Sequence, residues 1–296
     1  MFGKRDFSCG NILSISYFVV RAINSLSLNT RFSKFVFLVN EKVAYIYISK
    51  RFDGNYKIIS NREVRAGYFE LIVKIDNITR YCSPGQFFMI SVPEVFLRRP
   101  ISIHYVKKDS LSFLYKVVGK GTKILSKIQS GTLQLLGPLG NGYDFKNWEQ
   151  SSYTVVAGGT GIASIYYLAT KLTQNGILYY GARSERDLVC LDKFKKMNWK
   201  VIISTEDGSK GYKGYITDML LKGLNDTTLL IACGPTPMLK KVIQIAKVKC
   251  IKGFVSLEEK MACGIGNCQS CAVKINGQIR MICKDGPVFR IEEVEL

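Results

Sequence analysis

Four cysteines, Cys263, Cys268, Cys271 and Cys283, stand near the end of the sequence in the pattern C-x4-C-x2-C-x11-C, out of nine in the chain. C-x4-C-x2-C with a more distant fourth cysteine is the spacing of a thiolate-ligated 2Fe-2S cluster of the plant type. Gly264 and Gly266 let the loop between them curl, so that backbone N–H groups face the sulfurs, as a negatively charged cluster requires. Two other chemistries use four thiols. Structural zinc sites usually show two C-x2-C knuckles and only one is present here, and paired disulfides belong to oxidising compartments. One-electron chemistry on a cluster is the leading reading, with a zinc staple and a pair of disulfides left open beside it.

Two further stretches have the makings of phosphate sites. In "LRRPISIHYV" Arg98 and Arg99 precede a proline that fixes the backbone, and Ser102 shares a strand face with Pro100. A guanidinium fork with a nearby hydroxyl suits a pyrophosphate, although a charged edge strand reads the same way. In "VVGKGTKILSKI" Gly119 and Gly121 open a helix with Thr122 near its N-terminus, a place for an anion or for a plain N-cap.

A third set of signals concerns nucleotides. "VVAGGTGIAS" follows a strand and opens a helix, the context of a dinucleotide loop, with Gly158, Gly159, Thr160 and Gly161 forming the turn. The G-x-G-x-x-G fingerprint fails in its last position, where Ser164 replaces glycine. "IACGPTPML" supplies a second turn with Cys233, Gly234, Pro235 and Met238; Cys233 either faces a nicotinamide or packs as a small apolar residue. No side chain is assigned an acid–base role. The single histidine, His104, reads as a packed structural residue and leaves little room for triad or His-metal chemistry.

The chain that must position these groups has 296 residues, 47% of them hydrophobic, enough for two or three domains with real cores. Its net charge of +19 is spread without a long basic block. That distribution argues against a nucleic-acid partner and reads as a background bias, with some contribution to attracting dinucleotides and an acidic partner. Cysteines that read as cluster ligands and packed thiols place the chain in a reducing compartment, the cytoplasm. Residues 1–55 contain apolar pieces interrupted by Arg21, Arg31 and Lys34, too short to span a bilayer. A signal or transit peptide is a faint resemblance only, and this extension is given no role.

From residue 56 to 148 short alternating strands with turn residues between them predict an antiparallel β-barrel. From 149 to 255 strand, glycine turn and helix alternate, which predicts a parallel, doubly wound α/β domain with its ligand edge at the carboxyl ends of the strands. Residues 256–296 are too few for a conventional core and must be organised around the cysteine site.

A barrel carrying "RRPIS" followed by a nucleotide domain carrying "GGTGIA" and "CGPTPM" resembles the ferredoxin reductase superfamily. Adding "SLEEKMACGIGNCQSC" and "CKDGPVF" narrows the match: the chain resembles the electron-transfer subunits of type B dihydroorotate dehydrogenases, which have these three parts in this order. The resemblance runs from about Tyr56 to Phe289, and takes in "GPLGNG" at 137–142 and "EDGSKGYKG" at 206–214. It implies an FAD site at Arg99, Pro100, Ile101 and Ser102, at Leu114, Tyr115 and Lys116, and at Gly121 and Thr122. It also implies an NAD site at the two glycine turns and a 2Fe-2S cluster on the four cysteines. The implied partner is an FMN-containing catalytic subunit, in a heterotetramer with two copies of each, and neither nucleic acid nor a membrane span is involved.

Three departures stand out. The loop from Cys271 to Cys283 is shorter than in many bacterial members, Ser164 replaces a proline frequent at that helix start, and Arg183 and Arg186 offer charge to a 2′-phosphate. Two competitors remain at this stage. One is an NAD(P)H-ferredoxin or sulfide-linked oxidoreductase subunit of the same superfamily, against which Cys263 stands where an acidic residue is expected. The other is a zinc-stapled nucleotide-binding module without redox work.

Overall fold

The computed structural model describes residues 35–39, 42–46, 51–145, 148, 152–174, 176–224 and 228–296. Most of the extension that was given no role lies outside them. Within it β1 (Phe35–Val39) and β2 (Lys42–Ile46) pair antiparallel, and the chain divides after Lys50 into two units. The second unit, Arg51–Leu296, carries every candidate site residue.

Six strands close a barrel in the order β3 (Phe52–Arg65), β4 (Tyr68–Lys74), β7 (Ser110–Lys116), β6 (Arg99–Val106), β5 (Phe87–Ile90) and β8 (Thr132–Leu139). All neighbours are antiparallel, and β8 returns to pair with β3. The period-2 pattern puts Leu71, Val73, Ile103, Phe113 and Leu135 inside, each fully buried. β7 is buried along nearly its whole length, because its outer face is covered by the nucleotide domain as its inner face is by the barrel.

The nucleotide domain is a seven-stranded sheet in the order β12 (Tyr212–Lys213), β11 (Lys200–Thr205), β10 (Ile177–Ala182), β9 (Tyr153–Gly158), β13 (Leu229–Cys233), β14 (Gly253–Ser256) and β17 (Val288–Arg290). Six strands run parallel, and the reversal of order beside β9 sets the ligand crevice at the carboxyl ends of β9 and β13. The strands are near-continuous apolar runs, as a sheet covered on both faces demands. The helices among the described residues are α1 (Lys120–Leu125) in the barrel, then α2 (Ile162–Ala169), α3 (Leu191–Lys196), α4 (Ile216–Gly223), α5 (Thr236–Val248) and α6 (Ile282–Asp285). In α5 the residues Leu239, Val242, Ile243 and Ala246 fall at i, i+3, i+4 and i+7 and face the sheet. Burying each of the larger ones contributes roughly 1.5–3 kcal/mol.

The last strand, β17, lies antiparallel on β14, so the cysteine-bearing segment ends inside the nucleotide sheet. That segment's own structure is a hairpin of β15 (Ala272–Ile275) and β16 (Gln278–Met281) followed by α6. Among the described residues no helix is long and apolar enough to cross a membrane.

Candidate functional site

The barrel's two phosphate signals meet. A Cβ on Gly121 would sit 2.9 Å from Arg99 Cδ, so the Arg99 side chain lies directly over the first turn of α1 and would have to shift to admit one. Arg99 Nη2 donates to the Leu97 carbonyl at 2.8 Å, while its Nε is buried with no partner, a donor aimed at nothing in the protein. Arg98 turns the other way and pairs with Asp53 at 3.0 Å. Thr122 Oγ1 accepts from the Val118 and Gly119 N–H groups at 2.9 and 3.2 Å, so its hydroxyl closes the loop as a cap. Pro100 is exposed and Ser102 half-buried on the outer face of β6, with Ile101 turned into the core.

On β7 the alternation separates the candidates. Leu114 packs outward against the nucleotide domain. Tyr115 points into the barrel and donates to Asn61 Oδ1 at 3.0 Å, and Asn61 in turn donates to the carbonyls of Leu125, the last residue of α1, and of Ile128 just past it. Burial pushes the Tyr115 phenol up to about 12. Lys116 bonds Asp187, which also accepts from Tyr68 at 2.9 Å. Burial works to raise the Asp187 carboxyl, and these bonds overcome it and hold it low. The expected result for Tyr115→Phe is therefore a loss of about 1 kcal/mol in urea unfolding with flavin affinity unchanged. A fall in flavin affinity at constant stability would contradict this placement.

The two nucleotide turns pack backbone to backbone. A Cβ on Gly161 would lie 2.2 Å from the Cys233 carbonyl oxygen; one on Gly234 would lie 2.9 Å from Gly158 Cα; one on Gly158 would meet Pro235 Cδ and Met238 Sδ at 2.7 Å. Gly159 differs, with φ +52 and nothing within 4 Å of its Cβ position, so it faces open space beside Thr160. Ser164, in place of the third glycine, is buried, with its hydroxyl 3.2 Å from the Gly161 carbonyl, to which it donates, and 3.3 Å from Cys233 Sγ. Burial first, and the nearby Glu258 carboxylate second, push the Cys233 thiol up to about 12, so it stays protonated. Arg183 and Arg186 are exposed just past the carboxyl end of β10.

The cysteine sulfurs stand as two pairs. Cys271 and Cys283 Sγ atoms are 3.3 Å apart, and both residues are buried. Cys263 Sγ accepts from the Ile265 and Cys268 N–H groups, each at 3.4 Å, and Cys268 itself is exposed beside the Ser270 hydroxyl at 3.2 Å. Cys283 N–H donates to Cys271 Sγ at 3.5 Å, and Gly266 N–H to Cys283. Among the described residues no group of three or more His, Cys, Asp or Glu side chains is gathered as one ion's shell requires. Two thiol pairs wrapped in N–H donors fit a two-iron cluster better than a single tetrahedral zinc. Gly264 and Gly266 have φ +72 and +90, the left-handed turns that aim those donors.

One residue that the sequence did not single out joins these parts. A Cβ on Gly264 would lie 2.6 Å from Met89 Cγ, so the cysteine loop rests on Met89 of β5, whose register partner on β6 is Pro100. "FFMI" reads merely as core, and no local pattern marks it. A second seam joins "GPLGNG" to "CKDGPVF": Asn141 N–H donates to the Gly286 carbonyl at 2.8 Å and Asn141 Nδ2 to the Asp285 carbonyl at 2.9 Å.

His104 is fully buried, its Nδ1 2.8 Å from the Ala163 carbonyl and its Nε2 2.9 Å from Lys193 Nζ. Burial, then the Lys193 ammonium, push its pKa down to about 4. A histidine of the unfolded chain titrates near ~6.5, so the fold binds this proton less readily than the unfolded chain does. The ring's contribution is complete above ~6.5 and is lost as pH falls toward about 4. Between about pH 7.5 and pH 5 the expected loss is about 2 kcal/mol in urea unfolding, and it shrinks when His104 is replaced by Asn. Equal pH dependence in the two proteins would refute it.

Comparison with known proteins agrees with this geometry. Residues 258–295 match the family described as the iron-sulfur cluster binding domain of dihydroorotate dehydrogenase B, and residues 155–244 match the oxidoreductase NAD-binding domain. The dihydroorotate dehydrogenase B (NAD(+)) electron transfer subunit of Clostridium acetobutylicum is 40% identical over 244 residues, 81% of this chain and 96% of that one. Among solved structures, an NADH-dependent reduced ferredoxin-NADP oxidoreductase studied for flavin-based electron bifurcation superposes with a TM-score of 0.73 at 32% identity, covering 81% of this chain and 89% of that chain. A ferredoxin NADP+ reductase from Neisseria gonorrhoeae with bound FAD and NADP shares the fold, with a TM-score of 0.59 at 17% identity over 67% of this chain and 91% of that one. With two sulfur pairs set against a flavoprotein-type barrel, and this identity running through nearly the whole length of such a relative, the chain belongs to the family of dihydroorotate dehydrogenase B electron transfer subunits.

Proposed function

We propose that this chain is the electron-transfer subunit of an NAD-dependent dihydroorotate dehydrogenase, carrying electrons between an FMN-containing catalytic partner and NAD by way of a 2Fe-2S cluster and FAD. The observation that carries the reading is the contact of the cysteine loop with Met89 across from Pro100, which makes the cluster site and the flavin strand neighbours. FAD, when bound, converts the two-electron chemistry of a nicotinamide into the single electrons that an iron-sulfur cluster handles.

The protein's own work in this scheme is holding and tuning. Arg99, with Gly121 and the start of α1 beneath it, offers the pyrophosphate a guanidinium Nε that has no other partner. Pro100 and Ser102 present the outer face of β6, and the backbone of Ile101 and of Leu114, Tyr115 and Lys116 continues that surface. Gly158, Gly159, Thr160 and Gly161, with Cys233, Gly234, Pro235 and Met238 packed behind them, form the nicotinamide-nucleotide turn, and Gly159 is its open side. Cys263, Cys268, Cys271 and Cys283 hold the cluster, with Cys268 on the exposed rim toward the partner. The domain limits 56–148, 149–255 and 256–296 and a two-plus-two heterotetramer in the cytoplasm complete the proposal.

The deciding experiment is anaerobic co-purification of the chain with its catalytic partner, followed by addition of dihydroorotate and NAD. NADH appears in the wild-type complex and fails to appear when Cys268 is changed to Ser. A cofactor-replete complex that makes no NADH would hand the same wire to a ferredoxin-linked substrate. A colourless, zinc-containing protein would remove the redox reading altogether.

A further inference from the structure

His104 is the only histidine of the chain, and it lies on β6 two residues past Ser102, on the strand proposed to carry the flavin. Its ring reaches across to the nucleotide domain. Nδ1 stands 2.8 Å from the Ala163 carbonyl, and the ring stacks on Tyr166 with centroids 4.9 Å apart at 29°. Both residues belong to α2, the helix that the Gly159–Gly161 turn launches. On the far side Nε2 meets Lys193 Nζ at 2.9 Å, and Lys193 is itself tied to Glu70 Oε1 at 3.2 Å. Glu70 also accepts the Ser112 hydroxyl at 3.0 Å, so barrel strands β4 and β7 anchor the lysine.

This arrangement leaves one tautomer. An ammonium has only donors, so Nε2 must accept, and the ring proton sits on Nδ1 facing the Ala163 carbonyl. Burial and the adjacent ammonium keep the ring neutral, with a pKa near about 4, so the arrangement persists at working pH. At its other end the turn is already wedged, since Gly161 abuts the Cys233 carbonyl with no room for a Cβ. On the barrel side α2 is held by Tyr105 of β6 packed on Tyr166 and Tyr167 and by Tyr167 Oη donating to the Cys82 carbonyl, and His104 adds the one imidazole hydrogen bond from the flavin strand to the first turn of the helix.

We propose that His104 is a positioning residue for hydride exchange: its Nδ1–H, held in that tautomer by Lys193, sets helix α2 and the Gly158–Gly161 turn against the flavin-bearing strand. The inference rests on the reading of these two elements as the flavin and nicotinamide sites. Near-attack geometry is steep in distance, and a misplacement of about 1 Å costs on the order of 100-fold in rate.

Two variants separate positioning from packing, both studied in the cofactor-loaded complex with the catalytic partner. His104→Asn keeps a donor near Nδ1; His104→Gln keeps a polar group near Nε2 and loses that donor. Stopped-flow reduction of FAD by NADH is expected to slow about 10–100-fold in His104→Gln at saturating NADH. NADH affinity, flavin content and iron content stay within about twofold of wild type, and His104→Asn recovers the rate to within about threefold. Independently of turnover, the 15N spectrum of the lone histidine places the proton on Nδ1. A proton on Nε2, a His104→Gln rate equal to wild type, or loss of flavin and iron from both variants each overturns the proposal. If NADH fails to reduce the wild-type flavin, the site reading falls and takes the proposal with it, a result distinct from unequal variants on a working wild type.

Discussion

Replacing Gly161 with alanine is expected to lower the thermal midpoint of the protein by roughly 6–12 °C and to abolish NADH-dependent flavin reduction, whereas Gly159→Ala leaves the fold nearly intact and weakens NAD alone. The difference lies in what the new methyl group meets. At Gly161 it would come within 2.2 Å of the Cys233 carbonyl oxygen, 2.5 Å of its carbon and 2.9 Å of the Gly234 nitrogen. All three are backbone atoms at the end of a central strand of the sheet and the residue just past it, so nothing yields cheaply and the cost approaches about 3 kcal/mol or more. At Gly159 the methyl meets nothing within 4 Å, and the cost is the left-handed φ of +52, on the order of 1 kcal/mol. Under the proposed function that empty space is where a pyrophosphate would approach the helix start. Filling it is expected to raise the NAD dissociation constant about tenfold, or ~1.4 kcal/mol. Calorimetry of unfolding and of NAD binding on the two variants tests both halves. Equal stability in the two proteins, or unchanged NAD affinity in Gly159→Ala, would show that the turn is not built this way.

The same glycines mark how far a sequence reaches. "VVAGGTGIAS" announces a glycine turn between strand and helix, and the missing third glycine suggests a degraded fingerprint. In the fold the close approach normally made there is made by Gly161 against Cys233, and Ser164 closes the turn with a hydroxyl bond. Local spacing cannot reveal that exchange, because its other half is a strand seventy residues away in the chain. The barrel shows a similar limit. Strands with clean alternation, such as "GYFELIVKI", are legible, while β3 (Phe52–Arg65) is largely exposed and carries few apolar residues, so its role in closing the barrel is set by pairing with β4 and β8 rather than by its own pattern. The cysteine spacing is legible without tertiary information, since all four cysteines lie on one short segment. The Met89 contact and the His104 bridge are products of the fold alone, and composition assigns both residues to packing.

Exchanging Cys283 for alanine is expected to cut electron flow at the cluster, and to do so selectively. Cys283 is 2% exposed, 3.3 Å from Cys271 in the inner sulfur pair, and it receives a donor from Gly266. Removing a partner that merely supports a ligand costs roughly 10–100-fold in metal affinity or activity, and removing a ligand itself exceeds that. The loss should nonetheless stop at the cluster. Residues beyond Cys283 remain fastened by β17 on β14 and by Asn141 on Gly286 and Asp285, neither of which involves a sulfur. The barrel and the nucleotide turns meet through His104, Lys193 and Lys116 on a different surface. Dihydroorotate-to-NAD transfer in the complex is therefore expected to fall by more than about 100-fold, with iron lost, while NADH reduction of an artificial acceptor through the flavin stays within about threefold of wild type. Measuring the two activities on one preparation decides the matter. If both collapse together while flavin is retained, the cluster segment is structurally required for the nicotinamide end, and the independence of the cluster segment from the flavin and nicotinamide sites is wrong.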